Sequence, residues 1–432
     1  MSAGRGYAEF RNGWPVVLAA LLGIGLGLSP VPFYTSGVFA PVLAHQFGWS
    51  FAEILAGFPI LTFVVLFMSP VVGWLSDRHG VRPIALTSCV LFGLTYMSQA
   101  LLAGSLSVYY AIWSVMAVVG AGTLPVTWTR AVNNRFEVHK GLALGITLLG
   151  TGLFGFASKP LTAWLIAHYG WRTAYVGIGL LPLLLAFPVG LWAFHDVGGR
   201  ESIEQRRARA AAREAATPGL TFREALRDWR FWLMGIAFVP ISFAIGGPIP
   251  NLENILKIEG FSATDVVSLT QFVGLSVIVG RVAGGWLIDR FWAPAVAFCF
   301  LTLAALACLA LGRGALGYQA AALSICAIGS SAGIEYDLMA FFVARYLGMK
   351  SYGSIYGTLY GFFALGAGIG PTVYGAVFDR TRSYSSVLSG SSALFVGGAL
   401  LLLALGRYRR FADGAPAPAA VAAGAAQPAQ KP

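Results

Sequence analysis

Twelve stretches of about 20 mostly apolar residues follow one another along the chain, and a helix of that length crosses the hydrocarbon core of a lipid bilayer. Only 11% of the residues are charged, compared with about 25% in a soluble domain. The sequence therefore excludes a fold whose main solvent is water. It predicts an all-α membrane protein with twelve transmembrane helices.

We number these stretches span 1 to span 12. The first is too long for the apolar core of a cleaved signal peptide, so we interpret it as a transmembrane helix. The predicted bounds are 14–39, 50–74, 84–103, 107–129, 141–167 and 172–194 for spans 1 to 6, and 230–252, 263–288, 294–311, 316–343, 354–378 and 385–406 for spans 7 to 12.

The second half of the chain repeats motifs of the first half at one constant offset. "GWSFAEI" begins at Gly48 and "GFSATDV" at Gly260, while "GWLSDRHG" begins at Gly73 and "GWLIDRFW" at Gly285. Two matches at one offset, at opposite ends of a helix, indicate a duplication of the kind found in many secondary transporters. We therefore predict two pseudo-repeated bundles of six helices each.

A charged, Ala-rich segment separates spans 6 and 7. Within it, Thr221 and Glu224 have the spacing of a capping box, and the composition predicts an amphipathic helix on the membrane surface. The last residues of the chain, rich in Ala and Pro, predict disorder. The predicted domains are an N-terminal bundle (1–194), a cytoplasmic linker (195–229), a C-terminal bundle (230–411) and a tail (412–432).

The net charge of +11 is explained by orientation in a membrane. With both termini placed in the cytoplasm, most Lys and Arg residues fall in cytoplasmic segments, as the positive-inside rule requires. These charges face an anionic lipid surface, so we expect no nucleic-acid partner. The short external loops favour a bacterial inner membrane.

The segment "GWLSDRHGVRP" (Gly73–Pro83) resembles the loop signature of the major facilitator superfamily. Its place after span 2 and a degenerate copy after span 8 fit that family, although Val81 stands where the family usually has a basic residue. The resemblance implies a twelve-helix fold with a cytoplasmic seam whose contacts bias one conformation. For Arg130, snorkelling toward the membrane surface is an alternative. The candidate seam residues are Gly73, Asp77, Arg78, Arg130, Asp289 and Arg290.

Three further segments resemble the monocarboxylate and oxalate/formate-type transporters. They are "NRFEVHKGLALGI" (Asn134–Ile146), "GRVAGGWLIDR" (Gly280–Arg290) and "SYGSIYGTLYGFFALGAGIGP" (Ser351–Pro371). The resemblance implies that Arg281, in span 8, binds the carboxylate of the substrate. Span 11 lacks the lysine of the oxalate/formate transporters and span 1 lacks that of the monocarboxylate carriers, which argues against a small dicarboxylate such as oxalate.

Ionisable residues inside membrane spans are costly and are therefore functional candidates. Arg281 lies eight residues before Asp289, and Asp337 lies eight residues before Arg345. Both are therefore about 12 Å inside the cytoplasmic boundary, and we predict that Arg281 and Asp337 form an ion pair. The five residues of this kind are Arg130, Lys159, Arg281, Glu335 and Asp337.

The roles of the remaining charges have alternatives. Glu335 lies about 200° around the helix from Asp337, so the two carboxylates face different neighbours. One of them releases the substrate from Arg281 or carries a proton, or both belong to structural ion pairs. Lys159, in span 5, is either a second cation in the cavity or a side chain that snorkels to the outer surface.

Tyrosines on three spans are candidates for hydrogen bonds to an organic substrate. Tyr34 follows the stretch 29–32, "SPVP", whose prolines interrupt helical hydrogen bonding in a way that is tolerated where backbone lines a cavity. Tyr336, Tyr356 and Tyr360 lie on spans 10 and 11. For all of them, aromatic packing is the alternative role.

Together these features predict a monomeric secondary transporter that moves a monocarboxylate-like organic anion, coupled to protons, by alternating access. One alternative is an exporter of amphiphilic compounds, and another is a membrane sensor that binds without transport. The sequence contains no apparent nucleophile–base pair, His-rich cluster or CxxC motif. We therefore predict no enzymatic activity, no cofactor and no metal.

Overall fold

The computed structural model describes residues 2–136, 140–194, 219–314, 316–348 and 350–409. Within this part of the chain the secondary structure is helical, without a β-strand. Eleven helical stretches of the described residues are long and apolar enough to cross a membrane. The longest, Ala143–Ala193, is divided at Gly170, where φ is +80°. The prediction of an all-α membrane protein with twelve crossing segments is thus confirmed.

The N-terminal half, residues 2–194, contains spans 1 to 6. Several spans are interrupted by short turns, so one span often consists of two helices. The helices are Ser2–Gly25 and Pro30–Phe47 in span 1, Phe51–Leu55 and Gly57–His79 in span 2, Val81–Met97 in span 3, Leu106–Gly120 and Pro125–Arg135 in span 4, and Lys140–Leu181 with Phe187–Ala193 in spans 5 and 6.

The C-terminal half, residues 219–409, contains spans 7 to 12. Of the predicted linker, residues 195–218 lie outside the described residues, as do residues 410–432, which include the predicted tail (412–432). The predicted capping box of Thr221 and Glu224 is confirmed, and it begins the short helix Phe222–Ala225. The spans are Trp229–Gly246 with Pro248–Ile258, Ala263–Arg290, Ala293–Arg313, Tyr318–Phe342 with the turn Val343–Leu347, Tyr352–Thr381, and Ser385–Leu403.

A backbone N–H group at the break in span 1 is hydrogen-bonded to a side chain of span 4. At residues 26–29 the helical ladder stops, and a backbone N–H left unbonded inside a membrane is costly. The N–H of Leu28 donates instead to the hydroxyl of Thr123 (2.9 Å), which lies in a 3-10 turn within span 4. This bond links span 4 to the break in span 1, just before the second helix of span 1, which carries Tyr34.

The two ends of the helical bundle are recognised by their side-chain contacts. At one end, which we call the terminal end, Arg135 donates to the carbonyl of Asn12 (3.2 Å) and the hydroxyl of Tyr408 accepts from the N–H of Ala293 (2.8 Å). At the opposite end, which we call the far end, Asn254 donates to the hydroxyl of Tyr384 (2.9 Å). The described part of the chain therefore begins and ends at the terminal end.

Among the described residues, the main contacts between the two halves are made by span 5 with span 8, span 2 with span 11, and span 1 with span 7. Glycines allow the closest approach, as small residues do between membrane helices. A Cβ added to Gly274 in span 8 would overlap the backbone of Phe156 in span 5. Toward the far end, Thr372 in span 11 donates to the carbonyl of Leu55 in span 2 (2.8 Å).

Candidate functional site

Arg281 lies where span 8 meets span 5, so its guanidinium group touches both halves. Its Nη1 donates to the carbonyl of Leu148 in span 5 (2.8 Å), and its Nε donates to the carbonyl of Gly333 in span 10 (3.4 Å). A guanidinium group has five N–H donors, and among the described residues Nη2 has no hydrogen-bond partner. Arg281 is thus anchored by protein carbonyls and keeps donors for another acceptor.

Asp337 lies beside this arginine. Its Oδ2 is 3.6 Å from Nε of Arg281, and the two side chains are 28% and 10% exposed, respectively. At that distance the contact is an ion pair rather than a hydrogen bond. Arg281 and Asp337, which we predicted to pair because they lie at equal depth, are therefore neighbours in the structure. The carboxylate of Asp337 is partly accessible.

Tyrosines from both halves lie in the neighbourhood of Arg281. The hydroxyl groups of Tyr34, Tyr336 and Tyr356 lie within electrostatic range of Arg281. Tyr34 is buried, and its ring packs against Gly155 in span 5. The arrangement joins one cation and one carboxylate to several aromatic rings, which suits an anion that carries an apolar body.

Tyr336 also connects this group to span 11. Its ring centroid lies 4.7 Å from that of Phe363 and 6.2 Å from that of Tyr360. Tyr360 is thus a neighbour of Tyr336, which itself lies within electrostatic range of Arg281.

Glu335 has different surroundings. It lies one turn after Ser331, whose hydroxyl donates to the carbonyl of Phe300 in span 9 (2.9 Å), so it belongs to the face of span 10 that is turned toward span 9. The side chain is buried, with 3% exposure. Its Oε1 has no hydrogen-bond partner among the described residues. The structure therefore separates Glu335 from the arginine and keeps it inside the C-terminal half.

Lys159 makes a contact that the sequence did not suggest. Its Nζ lies 2.6 Å from Oε1 of Glu253 in span 7, and both side chains are nearly inaccessible. A snorkelling lysine would reach the outer surface, so that alternative does not describe this side chain. The ion pair crosses from the N-terminal to the C-terminal half.

Glu253 escaped the sequence analysis because span 7 was predicted to end at residue 252. The helix continues to Ile258, which brings the carboxylate inside the span. One signal was available: a lysine in mid-membrane needs an anionic partner. The stretch "PNLENILKI" (250–258) offers a carboxylate in a continuing helical pattern.

Asp379, near the end of span 11, forms a further contact between the halves. Its carboxylate accepts hydrogen bonds from the backbone N–H groups of Phe51 (3.0 Å) and Ala52 (2.8 Å). These are free N–H groups in the first turn of a helix in span 2, where a negative charge also interacts favourably with the helix dipole. Asp379 thus fastens the far end of span 11 to span 2.

The candidate seam residues lie at the terminal ends of spans 2, 4 and 8. The side chains of Asp77, Arg78 and Arg130 lie outside the described part of the structure, and Gly73 forms part of the helix Gly57–His79. In span 8, the guanidinium group of Arg290 lies 3.9 Å from the centroid of the Trp286 ring. The neighbouring Asp289 is exposed. The seam role therefore stays a prediction.

Comparison with known proteins identifies the family. The family model described as Major Facilitator Superfamily matches residues 22–371. The chain belongs to the major facilitator superfamily. This membership, together with relatives that are named as transporters, makes it a non-enzymatic transporter with the twelve-helix fold of that superfamily.

Three relatives show what kinds of transporter the chain is similar to. Monocarboxylate transporter 13 of Bos taurus is 30% identical over 65% of this chain, and the alignment spans 63% of that relative, which is less than two thirds of its length. Monocarboxylate transporter 13 of Rattus norvegicus is 27% identical over 92% of this chain and 89% of the relative. A protein named as a probable sulfoacetate transporter, from Cupriavidus necator, is 26% identical over 85% of this chain and 88% of the relative.

Proposed function

We propose that the protein moves a monocarboxylate-like organic anion across the membrane by alternating access, together with a proton. The observation that carries this proposal is the position of Arg281, a cation that bridges the two halves and retains N–H donors beside a partly exposed carboxylate. A planar guanidinium group suits bidentate recognition of a carboxylate. Such a site at the boundary between two repeats is where alternating access requires the substrate.

Asp337 supplies the coupling to protons. When the substrate carboxylate binds Arg281, the carboxylate of Asp337 loses part of its attraction to the cation, and two negative charges lie near one positive charge. A proton on Asp337 restores neutrality. Substrate and proton therefore occupy the site together, and each leaves more readily once the other has gone.

The contacts between the halves indicate how the site changes access. At the far end, Asp379 holds span 2, and Lys159 is paired with Glu253. We propose that these contacts close the far side and must break when the site opens there. By the positive-inside bias, we assign the terminal end to the cytoplasm, as in a bacterial inner membrane.

The surroundings of Arg281 favour a particular class of anion. Aromatic side chains such as Tyr34 and Tyr336 offer apolar surface and hydroxyl groups, while the charge of Lys159 is already neutralised by Glu253. Proteins similar to this chain are named for monocarboxylates and for sulfoacetate. We therefore propose one carboxylate on a small organic body as the substrate.

Uptake into proteoliposomes tests this function. We expect labelled benzoate or lactate to accumulate against its gradient when the outside is made acidic, and to be lost from Arg281→Gln vesicles. Arg313→Gln, which changes an exposed arginine at the end of span 9, is the matched control and should accumulate substrate like the wild type.

Two results would favour the alternatives instead. Binding of these acids without accumulation would support a sensor, and acid-driven expulsion of amphiphilic dyes without uptake of either acid would support an exporter. Accumulation by folded Arg281→Gln protein at the wild-type rate would remove the role assigned to the arginine.

A further inference from the structure

The ion pair of Lys159 and Glu253 has no role in the arginine site, yet it is the more deeply buried of the two pairs. The side chains are 2% and 6% exposed, and Nζ lies 2.6 Å from Oε1. The contact is not aligned as a hydrogen bond, and Oε2 of Glu253 has no hydrogen-bond partner among the described residues. Each of these two buried charges is therefore stabilised mainly by the opposite charge of its partner.

The pair lies farther from the terminal end than Arg281 does. Arg281 bonds to the carbonyl of Leu148, and Lys159 follows Leu148 by eleven residues in the same helix. At 1.5 Å per residue, the two sites are about 16 Å apart along span 5. Span 5 thus carries one charge site near each end of the boundary between the halves.

Opening of the far end would separate the two charges, because Lys159 belongs to one half and Glu253 to the other. A buried charge that loses its partner is costly, and the membrane makes replacement by water difficult. One change leaves neither group with an unpaired charge. Glu253 takes up a proton, and an anion takes its place beside the ammonium group of Lys159.

We propose that Lys159 and Glu253 form a second charge-exchange site, where an incoming carboxylate binds Lys159 while Glu253 takes up a proton from the far side. No covalent bond changes in this step; one proton and one anion enter, and the net charge of the site stays zero. The inference rests on the proposed function and deepens it. Glu253 becomes a proton-coupling residue, and Lys159 the first cation that the substrate meets from the far side.

The surroundings of Glu253 make Lys159 its principal charged neighbour. From span 1, Gly37 lies against Oε2 and leaves no room for a Cβ. Tyr384, at the start of span 12, lies within electrostatic range of both Glu253 and Asp379. Lys257, one turn further along span 7, is exposed, so its charge is screened by solvent.

A stability measurement on the whole chain tests the site without any substrate. In Lys159→Met, Glu253 has lost its cation, so the native state should hold a proton that the unfolded chain releases. We expect the thermal midpoint of this variant to rise, relative to the wild type, as the pH is lowered from about 8 to about 5. The rise should disappear in Lys159→Met/Glu253→Gln, and Lys257→Met should behave like the wild type.

Transport measurements provide the second test of the proposal. In proteoliposomes, Glu253→Gln should lose acid-driven accumulation of benzoate but should still exchange benzoate across the membrane, because exchange needs no net entry of protons from the far side. Acid-driven accumulation that survives in Glu253→Gln, or a Lys159→Met variant whose midpoint follows that of the wild type at every pH, would overturn the proposal. If the wild type accumulates neither benzoate nor lactate, the proposed function has failed, and the stability measurement alone decides this site.

Discussion

Asp379, at the far end of span 11, accepts a hydrogen bond from the backbone N–H of Ala52 in span 2 (2.8 Å). The two residues belong to opposite halves, so this bond is a capping interaction that joins the halves of the protein. Removal of a capping side chain costs about 0.5–2 kcal/mol. In the alternating-access proposal, this bond of modest strength is one of the contacts that close the far side.

Asp379→Ala should therefore lower the free energy of unfolding by about 0.5–2 kcal/mol and shift the population toward open far sides. The distance between spin labels on cysteines introduced at Ala103 and Ser386, in a chain without Cys299 and Cys326, reports how far the two halves separate at the far end.

Ser50→Ala is the matched control for Asp379→Ala. Ser50 caps the same helix of span 2 through the N–H of Glu53 (3.2 Å), but it does so within one half. We expect a similar loss of stability and an unchanged label distance. An equal change of distance in both variants would show that helix capping alone, and not the link between halves, controls the far side.

The close contact of spans 5 and 8 makes a second prediction. A Cβ at Gly274 would overlap backbone atoms of Phe156, whereas a Cβ at Gly285 in the same helix would meet nothing within 4 Å. Overpacking costs about 1–3 kcal/mol, so Gly274→Ala should lower thermal stability by that order and slow transport. Gly285→Ala should leave both unchanged. Equal effects of the two substitutions would contradict the packing described for this boundary.

The two carboxylates of span 10 should respond differently to neutralisation. Glu335→Gln replaces a buried group without a hydrogen-bond partner at Oε1 by an uncharged amide, and we expect an equal or higher thermal midpoint at neutral pH. Asp337→Asn leaves Arg281 without its anion. Because Asp337 is partly exposed, the loss should be smaller than the about 3–5 kcal/mol of fully buried pairs.

Transport separates these two variants further. Asp337→Asn should lose the dependence of uptake on pH, while Glu335→Gln should keep it. If the thermal midpoint falls in Glu335→Gln and stays constant in Asp337→Asn, the assignment of the two carboxylates must be reversed.

Much of the fold was predictable because membrane helices are recorded in the sequence as long apolar runs. The pairing of Arg281 and Asp337 was also predictable, because the rise per residue of a helix places the two at equal depth in the membrane. Glu253 was missed because polar residues ended the apolar run before the helix itself ended at Ile258. Length and hydropathy locate a helix more reliably than they locate its last turns.

The contact of Asp379 with Phe51 and Ala52 was beyond such reasoning. It links a side chain to backbone groups more than 300 residues away, and backbone donors leave no trace in the residue types of span 2. Among the described residues Oε1 of Glu335 has no hydrogen-bond partner, and this likewise depends on the packing of several helices around that face of span 10.

The affinity of the purified protein for a small monocarboxylate, measured by titration calorimetry, tests the central claim most directly. Loss of a charged hydrogen bond costs about 1.5–3 kcal/mol, so Arg281→Gln should weaken benzoate binding by roughly tenfold to a hundredfold. Arg281→Lys should recover only part of it, since an ammonium group lacks the bidentate geometry. Folded Arg281→Gln protein that binds benzoate with wild-type affinity would contradict the account.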